Sequence, residues 1–306
     1  MAETTGLPDT IQQTIQAIAA DRQTGASGLA RLGGEALLAL LTEIGGSPEL
    51  PRLLAEGGRR LVAAQPTMAP LFHLANGALL AWEKTHRPAA VEEAVRSFLA
   101  GLEESIGRVA AHAAATLEGE GVVLTHSHSR TVVEALCLAH RQGARLYVLC
   151  TESRPLLEGR EVASVLAAAG IPVTLLIDAA GPGAAIQEAT AVWLGADSVA
   201  REGLYNKVGS YALALAAQEA GVPCYALADR SKFWPDGRRR RPAVADRDPL
   251  EVWEKIPAGT AVRNRYFDCT PLDWLGAAIA EDGALSPEQV EQRLAGLPVH
   301  PNLEDY

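Results

Sequence analysis

Hydroxyl and imidazole side chains cluster where a short apolar run ends, in the stretch 121–136, GVVLTHSHSRTVVEAL. The run is typical of a β-strand, and the residues after it are typical of a helix. His126, Ser127, Ser129 and Arg130 then lie beyond the carboxyl end of the strand, where open parallel sheets bind ligands. We expect the two serine hydroxyls to hydrogen-bond a ligand phosphate or hydroxyl, with His126 beside them and charge support from Arg130. The alternative is that Ser129 caps the following helix.

Carboxylates follow three further apolar runs, at Asp178, Asp197 and Asp229. A carboxylate at a rigid strand end, partly out of water, is suited to moving protons on a bound substrate, although aspartate also caps helices. Capping is the favoured interpretation of Asp178 and Asp229. Asp197 differs, because Asn206 and Lys207 follow it at what we expect to be the start of a helix. The free N–H groups and dipole of that helix would favour an anion, so an acid and an anion anchor would face one crevice.

Motifs of several other site types are absent from the sequence. There is neither a GxGxxG dinucleotide fingerprint nor a GxxxxGK[ST] phosphate loop, and the GxSxG elbow of serine hydrolases is missing. His126 and His128 could ligate a metal, but no third ligand lies nearby in sequence, so we expect no metal and no cofactor. The four cysteines are far apart with no CxxC pair, which argues against structural zinc and disulfides and favours a reduced cytoplasm.

Composition narrows the choice of partners. The net charge of −10 argues against direct nucleic-acid binding through phosphate neutralisation. No uninterrupted apolar run reaches the roughly 18 residues that a membrane span needs, and the beginning of the chain has no secretory signal pattern. Lysine is rare among the basic residues, so Lys207 within a polar motif is notable. The four-arginine run 238–241 predicts a solvated loop.

The spacing of apolar residues divides the chain into two parts. From about residue 10 to 117 they recur every three or four positions, which predicts about five helices and an all-α domain over residues 1–118. Short apolar runs then alternate with helical patterns over residues 119–306, which predicts parallel strands joined by helical crossovers. The runs are VVLTH, LYVLCT, VTLLID, AVWLGAD and CYALAD. The predicted fold class is therefore α/β, with an N-terminal all-α helical domain followed by a Rossmann-like parallel-sheet domain.

Six blocks of the sequence together resemble one known family: THSHSRTVVEAL, TESRPLLEGREVA, AGIPVTLLIDAA, GADSVAREGLYNKVGSYALALAA, GVPCYALADRSKF and VRNRYFDCTPLDWLGAAIAEDG. That family contains the regulatory α, β and δ subunits of translation initiation factor 2B, ribose-1,5-bisphosphate isomerase and methylthioribose-1-phosphate isomerase. The resemblance covers nearly the whole chain. It implies an N-terminal helical domain before the Rossmann-like one, and a homodimer or a higher homo-oligomer.

The resemblance also implies which residues matter for chemistry. In the isomerases a cysteine of the first block and the aspartate of GAD are associated with moving a carbonyl by one carbon. The aspartate corresponds to Asp197, whereas Ser127 occupies the position of the cysteine. A serine hydroxyl is a much weaker acid than a thiol, whose pKa is about 8.5. Catalysis by Ser127 is therefore less favoured than its binding a ligand oxygen.

Phosphate contacts differ as well. An R-G-A phosphate motif of the isomerases corresponds here to Thr24, Gly25 and Ala26, and a second arginine corresponds to Gln65. Two cationic contacts to phosphate are thereby lost, each worth ~1.5–3 kcal/mol. Arg154, in TESRP, follows the second predicted strand and is a further candidate for phosphate binding.

Two functions remain open at this point. The first is a non-catalytic or catalytically altered family member that binds a phosphorylated sugar or a nucleoside monophosphate in the crevice above the sheet. The second is an active aldose–ketose isomerase acting on a sugar 1-phosphate, with Asp197 as proton carrier and Ser127 orienting the substrate. A structural role in an assembly, without a small ligand, is the third alternative.

Overall fold

The computed structural model describes residues 6–117 and 119–306. Five helices form the first part of the chain, as the apolar spacing predicted. They are α1 (Asp9–Ala20), α2 (Ala26–Ile44), α3 (Leu50–Ala64), α4 (Ala69–Thr85) and α5 (Pro88–Ala114). Each of the first four buries a stripe of aliphatic side chains, and prolines near the starts of α3 and α4 fit the first turn, where no N–H partner is needed.

A seven-stranded, mainly parallel sheet forms the core of the second part. Its strands are β1 (Glu120–His126), β2 (Arg145–Thr151), β3 (Val173–Leu176), β4 (Ala191–Leu194), β7 (Cys224–Leu227), β9 (Ala277–Ala280) and β10 (Gly283–Leu285). A second, antiparallel sheet contains β5 (Ser198–Ala200), β6 (Gly203–Lys207) and β8 (Phe267–Thr270). The helices of this part are α6 (Arg130–Arg141), α7 (Gly159–Ala168), α8 (Ser210–Ala220) and α9 (Pro287–Ala295). The predicted α/β fold class is confirmed.

The strand order of the large sheet reverses direction at β1. The order is β10-β9-β7-β4-β1-β2-β3, and only the β9–β10 pair is antiparallel within it. The chain runs outward from β1 through β2 to β3 and then returns to β4 on the other side of β1. In open α/β sheets the crevice at such a reversal, outside the carboxyl ends of the strands, is the usual binding site. The turns after β1 and β4 therefore flank the expected site.

Two glycines permit close approaches around this crevice. A Cβ atom on Gly195, just after β4, would lie 2.5 Å from the Cβ of Ser129. A Cβ atom on Gly159, at the start of α7, would lie 1.8 Å from the carbonyl oxygen of Thr151. Because such contacts are forbidden, only glycine lets these turns pack directly against their neighbours.

The structure differs from the sequence prediction around Lys207. Asn206 and Lys207 were expected at the start of a helix, but both belong to strand β6, which pairs with β8. The helix begins three residues later at Ser210, after Gly209 with a φ of 112°. The prediction was wrong because β6 is stabilised by pairing with a strand some 60 residues away in sequence, which local periodicity does not reveal. Residues 182–190, PGAAIQEAT, were expected to form one of the helical crossovers, and they contain a 3₁₀ turn at Ala185–Gln187 in place of an α-helix.

The packing of Cα atoms divides the chain into two compact units. Unit 1 comprises residues 1–104, 234–243 and 295–306, and unit 2 comprises residues 105–233 and 244–294. The predicted pair of domains, 1–118 and 119–306, stays a prediction about how the chain folds. In the described residues no helix combines the length and apolar character that crossing a bilayer requires.

Candidate functional site at the switch point of the sheet

The turn between β1 and α6 carries the hydroxyl and imidazole cluster. Ser127 has a left-handed backbone with a φ of 67°. The Ser129 hydroxyl accepts a hydrogen bond from the N–H of Val132 at 3.4 Å and so caps α6, the alternative considered from the sequence. Arg130 is exposed on the first turn of the helix. Ligand contacts of Ser129 and Arg130 stay predictions.

His126 is buried beneath this turn and joins three segments. Only 1% of its surface is exposed. Its Nε2–H donates to the carbonyl oxygen of Val208 at 2.9 Å, so Nδ1 accepts the hydroxyl of Thr151 at 2.5 Å. Burial lowers the pKa of His126. The nearby carboxylates of Asp178 and Glu158 raise it again, but by less than burial lowers it. The geometry is that of a neutral positioning residue, and direct contact of His126 with a ligand stays a prediction.

The loop after β2 is held in place by a carboxylate from the turn after β3. Asp178 accepts hydrogen bonds from the backbone N–H groups of Ser153, at 2.6 Å, and Arg154, at 2.7 Å. Helix capping, the role favoured for Asp178 from its position, is therefore wrong, since its carboxylate reaches sideways to an adjacent loop. Arg154 is exposed, and its guanidinium donates to the carbonyl oxygen of Val252 at 3.2 Å. Its predicted contact with phosphate stays a prediction.

Glu158, which the sequence analysis did not single out, lies at the centre of the site. Its Oε1 accepts the hydroxyl of Ser127 at 3.0 Å and lies 2.6 Å from Nζ of Lys207. Its Oε2 is buried and has no hydrogen-bond partner in the described part of the chain. The sequence gives little reason to select Glu158 as a site residue, because an acidic residue directly before a helix such as α7 is common.

Lys207 is the buried cation of this arrangement. It is 5% exposed, and its Nζ lies 4.8 Å from the ring centroid of Tyr266 in addition to its ion pair with Glu158. A lysine is almost never this buried unless it is paired. Strand β6 directs it inward, so the predicted ammonium is present at the crevice although the predicted helix start is not.

Asp197 lies in the turn after β4, and its backbone N–H donates to the carbonyl oxygen of Tyr205 at 3.0 Å. The side chain of Asp197 is surrounded by protein atoms and is still partly accessible to solvent, so it lines a recess. Burial raises the pKa of Asp197, while the ammonium groups of Lys232 and Lys207 counteract that rise. Lys232, 6% exposed, is a second buried lysine that the sequence analysis missed. The rarity of lysine was the signal that could have identified it.

The start of helix α8 already has an anion of the protein itself. The Asp268 carboxylate accepts the backbone N–H groups of Gly209, at 2.7 Å, and Tyr211, at 3.2 Å. Burial raises the pKa of Asp268 to about 6, and these two N–H groups partly offset the rise. The side-chain amide of Asn206 donates to the hydroxyl of Ser210 at 2.9 Å, and its contact with a ligand stays a prediction. The helix end is thus not the open anion site that the sequence suggested.

Asp229 has the role expected of it. Its carboxylate caps the single turn that follows β7 by accepting the N–H of Ser231 at 2.9 Å. Its other oxygen, Oδ2, is buried and makes no hydrogen bond within residues 6–117 and 119–306. Asp229 is fully buried and lies three residues before Lys232.

Thr24, Gly25 and Ala26 form the turn into α2, in unit 1. The Asp21 carboxylate accepts both the N–H and the hydroxyl of Thr24, at 2.7 and 2.8 Å. Gln65 donates to the backbone carbonyl of Asp21 at 3.2 Å. The two segments that the resemblance aligned with phosphate-binding arginines therefore meet at one turn, and their contact with a phosphate stays a prediction.

Thiol chemistry is disfavoured near the crevice. Burial raises the pKa of Cys150 to about 12, and its Sγ donates to the carbonyl oxygens of Thr151 and Gly159. Burial also raises the pKa of Cys137 on α6. In the described ranges no group of three or more histidine, cysteine, aspartate or glutamate side chains is arranged to hold a metal ion.

Comparisons with known proteins agree with this fold. The Initiation factor 2 subunit family matches residues 22–287. The translation initiation factor eIF-2B subunit 2-like protein of Pyrococcus abyssi is 33% identical over 282 residues, covering 92% of this chain and 98% of that protein. Ribose 1,5-bisphosphate isomerase of Archaeoglobus fulgidus is 31% identical over 270 residues, covering 86% of each. The crystal structure of translation initiation factor eIF-2B from Pyrococcus horikoshii OT3 gives a TM-score of 0.83 at 32% identity, covering 92% and 98% of the two chains.

Proposed function

This chain belongs to the Initiation factor 2 subunit family, and we propose that it binds a phosphorylated sugar or a nucleoside monophosphate without isomerising it. The ligand lies at the switch point of the sheet. Its phosphate is bound by the ammonium of Lys207, and its hydroxyl groups face Asp197 and the turn at Ser127. The chain is proposed to act in the cytoplasm as a homodimer or larger homo-oligomer, without direct nucleic-acid contact.

The observation that carries this proposal is the hydrogen bond from Ser127 to Glu158, which is also the ion-pair partner of Lys207. The hydroxyl at the proposed cysteine position is used to hold a carboxylate. A group that donates to a carboxylate is poorly suited to give or take a substrate proton, because deprotonating it would bring two anions together. Ser127 therefore supports a binding role.

Two buried ammonium groups favour a phosphate-bearing ligand. Lys207 and Lys232 both act on the charge of Asp197, so they lie around one point of the crevice. In a site shielded from water, attraction between a fixed ammonium and a phosphate is stronger than at the surface. Lysine binds phosphate as a point charge and needs no bidentate geometry.

An active isomerase is the second candidate, and Asp197 is the observation that favours it. Because burial raises the pKa of Asp197, its carboxyl holds a proton more readily than an exposed aspartate does. Such a group is a suitable acid–base catalyst for moving a proton between neighbouring sugar carbons. In this alternative Ser127 orients the substrate while Asp197 carries the proton.

A ligand screen with matched variants tests the proposal. Melting temperatures are measured with ribose 1,5-bisphosphate, ribose 5-phosphate, AMP and unphosphorylated ribose, because a ligand that binds only the folded state raises the melting temperature. Lys207→Met removes the ammonium while keeping most of the packing, and Lys255→Met at an exposed position is the control. We expect a shift with a phosphorylated compound in wild type and in Lys255→Met, and none in Lys207→Met.

The isomerisation assay then separates the two candidates. We expect no conversion of ribose 1,5-bisphosphate or methylthioribose 1-phosphate by wild type at enzyme concentrations that give a clear thermal shift. Turnover by wild type that disappears in Asp197→Asn would establish the isomerase instead. If no compound of the screen shifts the melting temperature at millimolar concentration, the binding function is refuted.

A further inference from the structure

Lys232 is a buried lysine whose ammonium group has no partner among the described residues. Only 6% of its surface is exposed, and its Nζ takes part in no hydrogen bond and no ion pair within residues 6–117 and 119–306. Lys207, which is similarly buried, is paired with Glu158 at 2.6 Å. Because a lysine is almost never buried without a partner, Lys232 indicates a group that the chain itself does not supply.

The ammonium of Lys232 remains accessible to a ligand. The unpaired side-chain atoms that the described residues enclose completely include Oε2 of Glu158 and Oδ2 of Asp229, but Nζ of Lys232 is not one of them. The side chain of Asp197 is partly accessible as well, and its carboxylate accepts no hydrogen bond in the described part of the chain. A donor and an acceptor without partners are therefore both accessible at this end of the sheet.

Backbone pairing brings Lys232 and Asp197 close together. Strands β4 and β7 are parallel neighbours, and beyond their carboxyl ends Val199 pairs with Phe233 in a further parallel bridge. Asp197 lies two residues before Val199, and Lys232 directly precedes Phe233. The ammonium acts on the charge of Asp197, yet the two groups form no ion pair in the described structure. The space between them is thus bounded by one ammonium and one carboxylate.

The turn that carries Lys232 is fixed on both sides. The backbone N–H of Lys232 donates to the carbonyl oxygen of Asp229 at 2.9 Å, and the Asp229 carboxylate accepts the N–H of Ser231 at 2.9 Å. Phe233, the next residue, is completely buried. An ammonium on a fixed backbone loses less conformational freedom when it binds a ligand, which favours affinity and a defined geometry.

Resting on the proposed function, we infer that Lys232 and Asp197 together bind one ribose hydroxyl of the phosphorylated ligand, and that Lys232 selects a ribose over a deoxyribose. A group between an ammonium and a carboxylate has to accept a hydrogen bond from the first and donate one to the second. A hydroxyl does both. A phosphate dianion only accepts, and the Asp197 carboxylate would repel it. The phosphate stays at Lys207, and the sugar extends towards Lys232.

Loss of that hydroxyl leaves two charged groups without a partner. A site that hydrogen-bonds a substrate hydroxyl discriminates strongly against an analogue that lacks it, because the polar groups of the site are then unpaired. A hydrogen bond to a charged group contributes roughly a factor of ten or more, so the two together should weaken a deoxy analogue on the order of 100-fold. Removal of the ammonium alone should reduce this discrimination to about tenfold.

Titration calorimetry at pH 8 compares each ribose compound with its deoxy analogues. Ribose 1,5-bisphosphate and AMP are tested beside their 2-deoxy and 3-deoxy forms, and ribose 5-phosphate beside its 1-deoxy, 2-deoxy and 3-deoxy forms. The full chain is used as wild type, as Lys232→Met, which keeps most of the packing, and as Lys255→Met, the exposed control. Lys232→Gln still donates a neutral hydrogen bond and replaces Lys232→Met if that variant does not fold.

We expect one deoxy analogue of the bound compound to have a Kd about 100-fold above that of its parent in wild type and in Lys255→Met. In Lys232→Met the same two compounds should differ by about tenfold or less, and in Lys232→Gln by an intermediate factor. Unphosphorylated ribose should bind to none of these proteins, because the phosphate contact at Lys207 is unchanged in all of them.

Three results would overturn the inference. Equal Kd values for a parent compound and all its deoxy analogues in wild type show that no hydroxyl is recognised, and they leave the proposed function intact. Discrimination in the Lys232 variants that equals that of wild type assigns the hydroxyl to other residues. Loss of all phosphate-dependent binding in folded Lys232→Met assigns the phosphate to Lys232 in place of a hydroxyl. Absence of binding by wild type to every phosphorylated compound refutes the proposed function, and the inference falls with it.

Discussion

Replacing His126 by glutamine tests how much the two hydrogen bonds of this buried histidine stabilise the fold around the candidate site. His126 connects the end of β1 to Thr151 and to the backbone carbonyl of Val208, the residue after Lys207. Glutamine can still donate to the carbonyl but no longer accepts the Thr151 hydroxyl. One buried hydroxyl then loses its partner, which costs about 2 kcal/mol. We expect His126→Gln to lower the free energy of unfolding by that amount at pH 8.

The difference between wild type and this variant should depend on pH in a definite direction. Burial holds the pKa of His126 in the folded protein below its ordinary value of 6.5. Between 6.5 and the lower folded value, the unfolded chain binds more protons than the folded one, so the stability from His126 is complete above pH 6.5 and is lost as the pH falls. The slope can reach about 1.4 kcal/mol per pH unit. The advantage of wild type over His126→Gln should therefore shrink below pH 6.5.

Urea unfolding at pH 8, 7, 6 and 5 measures this difference. Wild type, His126→Gln and His128→Gln are compared, the last as a half-buried histidine two residues along the same turn. Asp197 and Asp268 titrate in all three proteins, so their contributions cancel in the comparison. Parallel stability curves for wild type and His126→Gln from pH 8 to pH 5 would refute the assignment of a neutral, buried His126.

Four further predictions follow from individual contacts. Asp178→Ala should lower the stability of the chain by about 3 kcal/mol in urea unfolding, because two backbone N–H groups lose a charged acceptor; an unchanged midpoint would contradict it. Ser129→Ala should cost about 1 kcal/mol through loss of the α6 cap, with Ser129→Asp restoring it. Arg238→Met should leave the melting temperature equal or higher, and a large decrease would contradict this. The buried guanidinium lies over two aromatic rings, its Nε and Nη1 have no hydrogen-bond partner among the described residues, and burial lowers its pKa to about 9. Burial raises the folded pKa of Asp268 to about 6, so the folded state binds more protons between about pH 4 and 6; acidification through that window should stabilise wild type relative to Asp268→Asn, as measured by paired thermal melts.

Local sequence patterns were sufficient for the scaffold of the large sheet. The apolar runs correspond to β1, β2, β3, β4 and β7 within a few residues. The glycines expected to end helices, Gly143, Gly170 and Gly221, have φ values of 93°, 81° and 69°. These features are encoded by neighbouring residues, since a buried parallel strand needs only a short apolar run and a left-handed helix end needs a glycine.

Contacts between distant segments account for what the sequence did not reveal. Strand β6 exists because Asn206 and Lys207 pair with Asp268 and Phe267 on β8. Burial of Arg238, which the polar four-arginine run did not predict, depends on aromatic rings at Phe72 and Trp234. Strand β6 depends on a pairing partner that is remote along the chain. Arg238 is buried because aromatic rings cover a side chain that would otherwise be solvated. The local spacing of apolar residues contains neither kind of information.

The backbone of the candidate site contains a signal that no local pattern encodes. In the described residues four non-glycine positions have positive φ, and three of them, Ser127, Ser153 and Leu157, belong to the two loops around Glu158. Each such conformation costs of order 1–3 kcal/mol and persists only where surrounding contacts enforce it. Here the Ser127 N–H donates to the Ser153 hydroxyl at 2.8 Å, and the Leu157 N–H donates to the Ser153 carbonyl at 2.9 Å. A network that holds three strained residues around the half-buried carboxylate of Glu158 costs conformational energy, and that cost is consistent with the binding role proposed above for this end of the sheet.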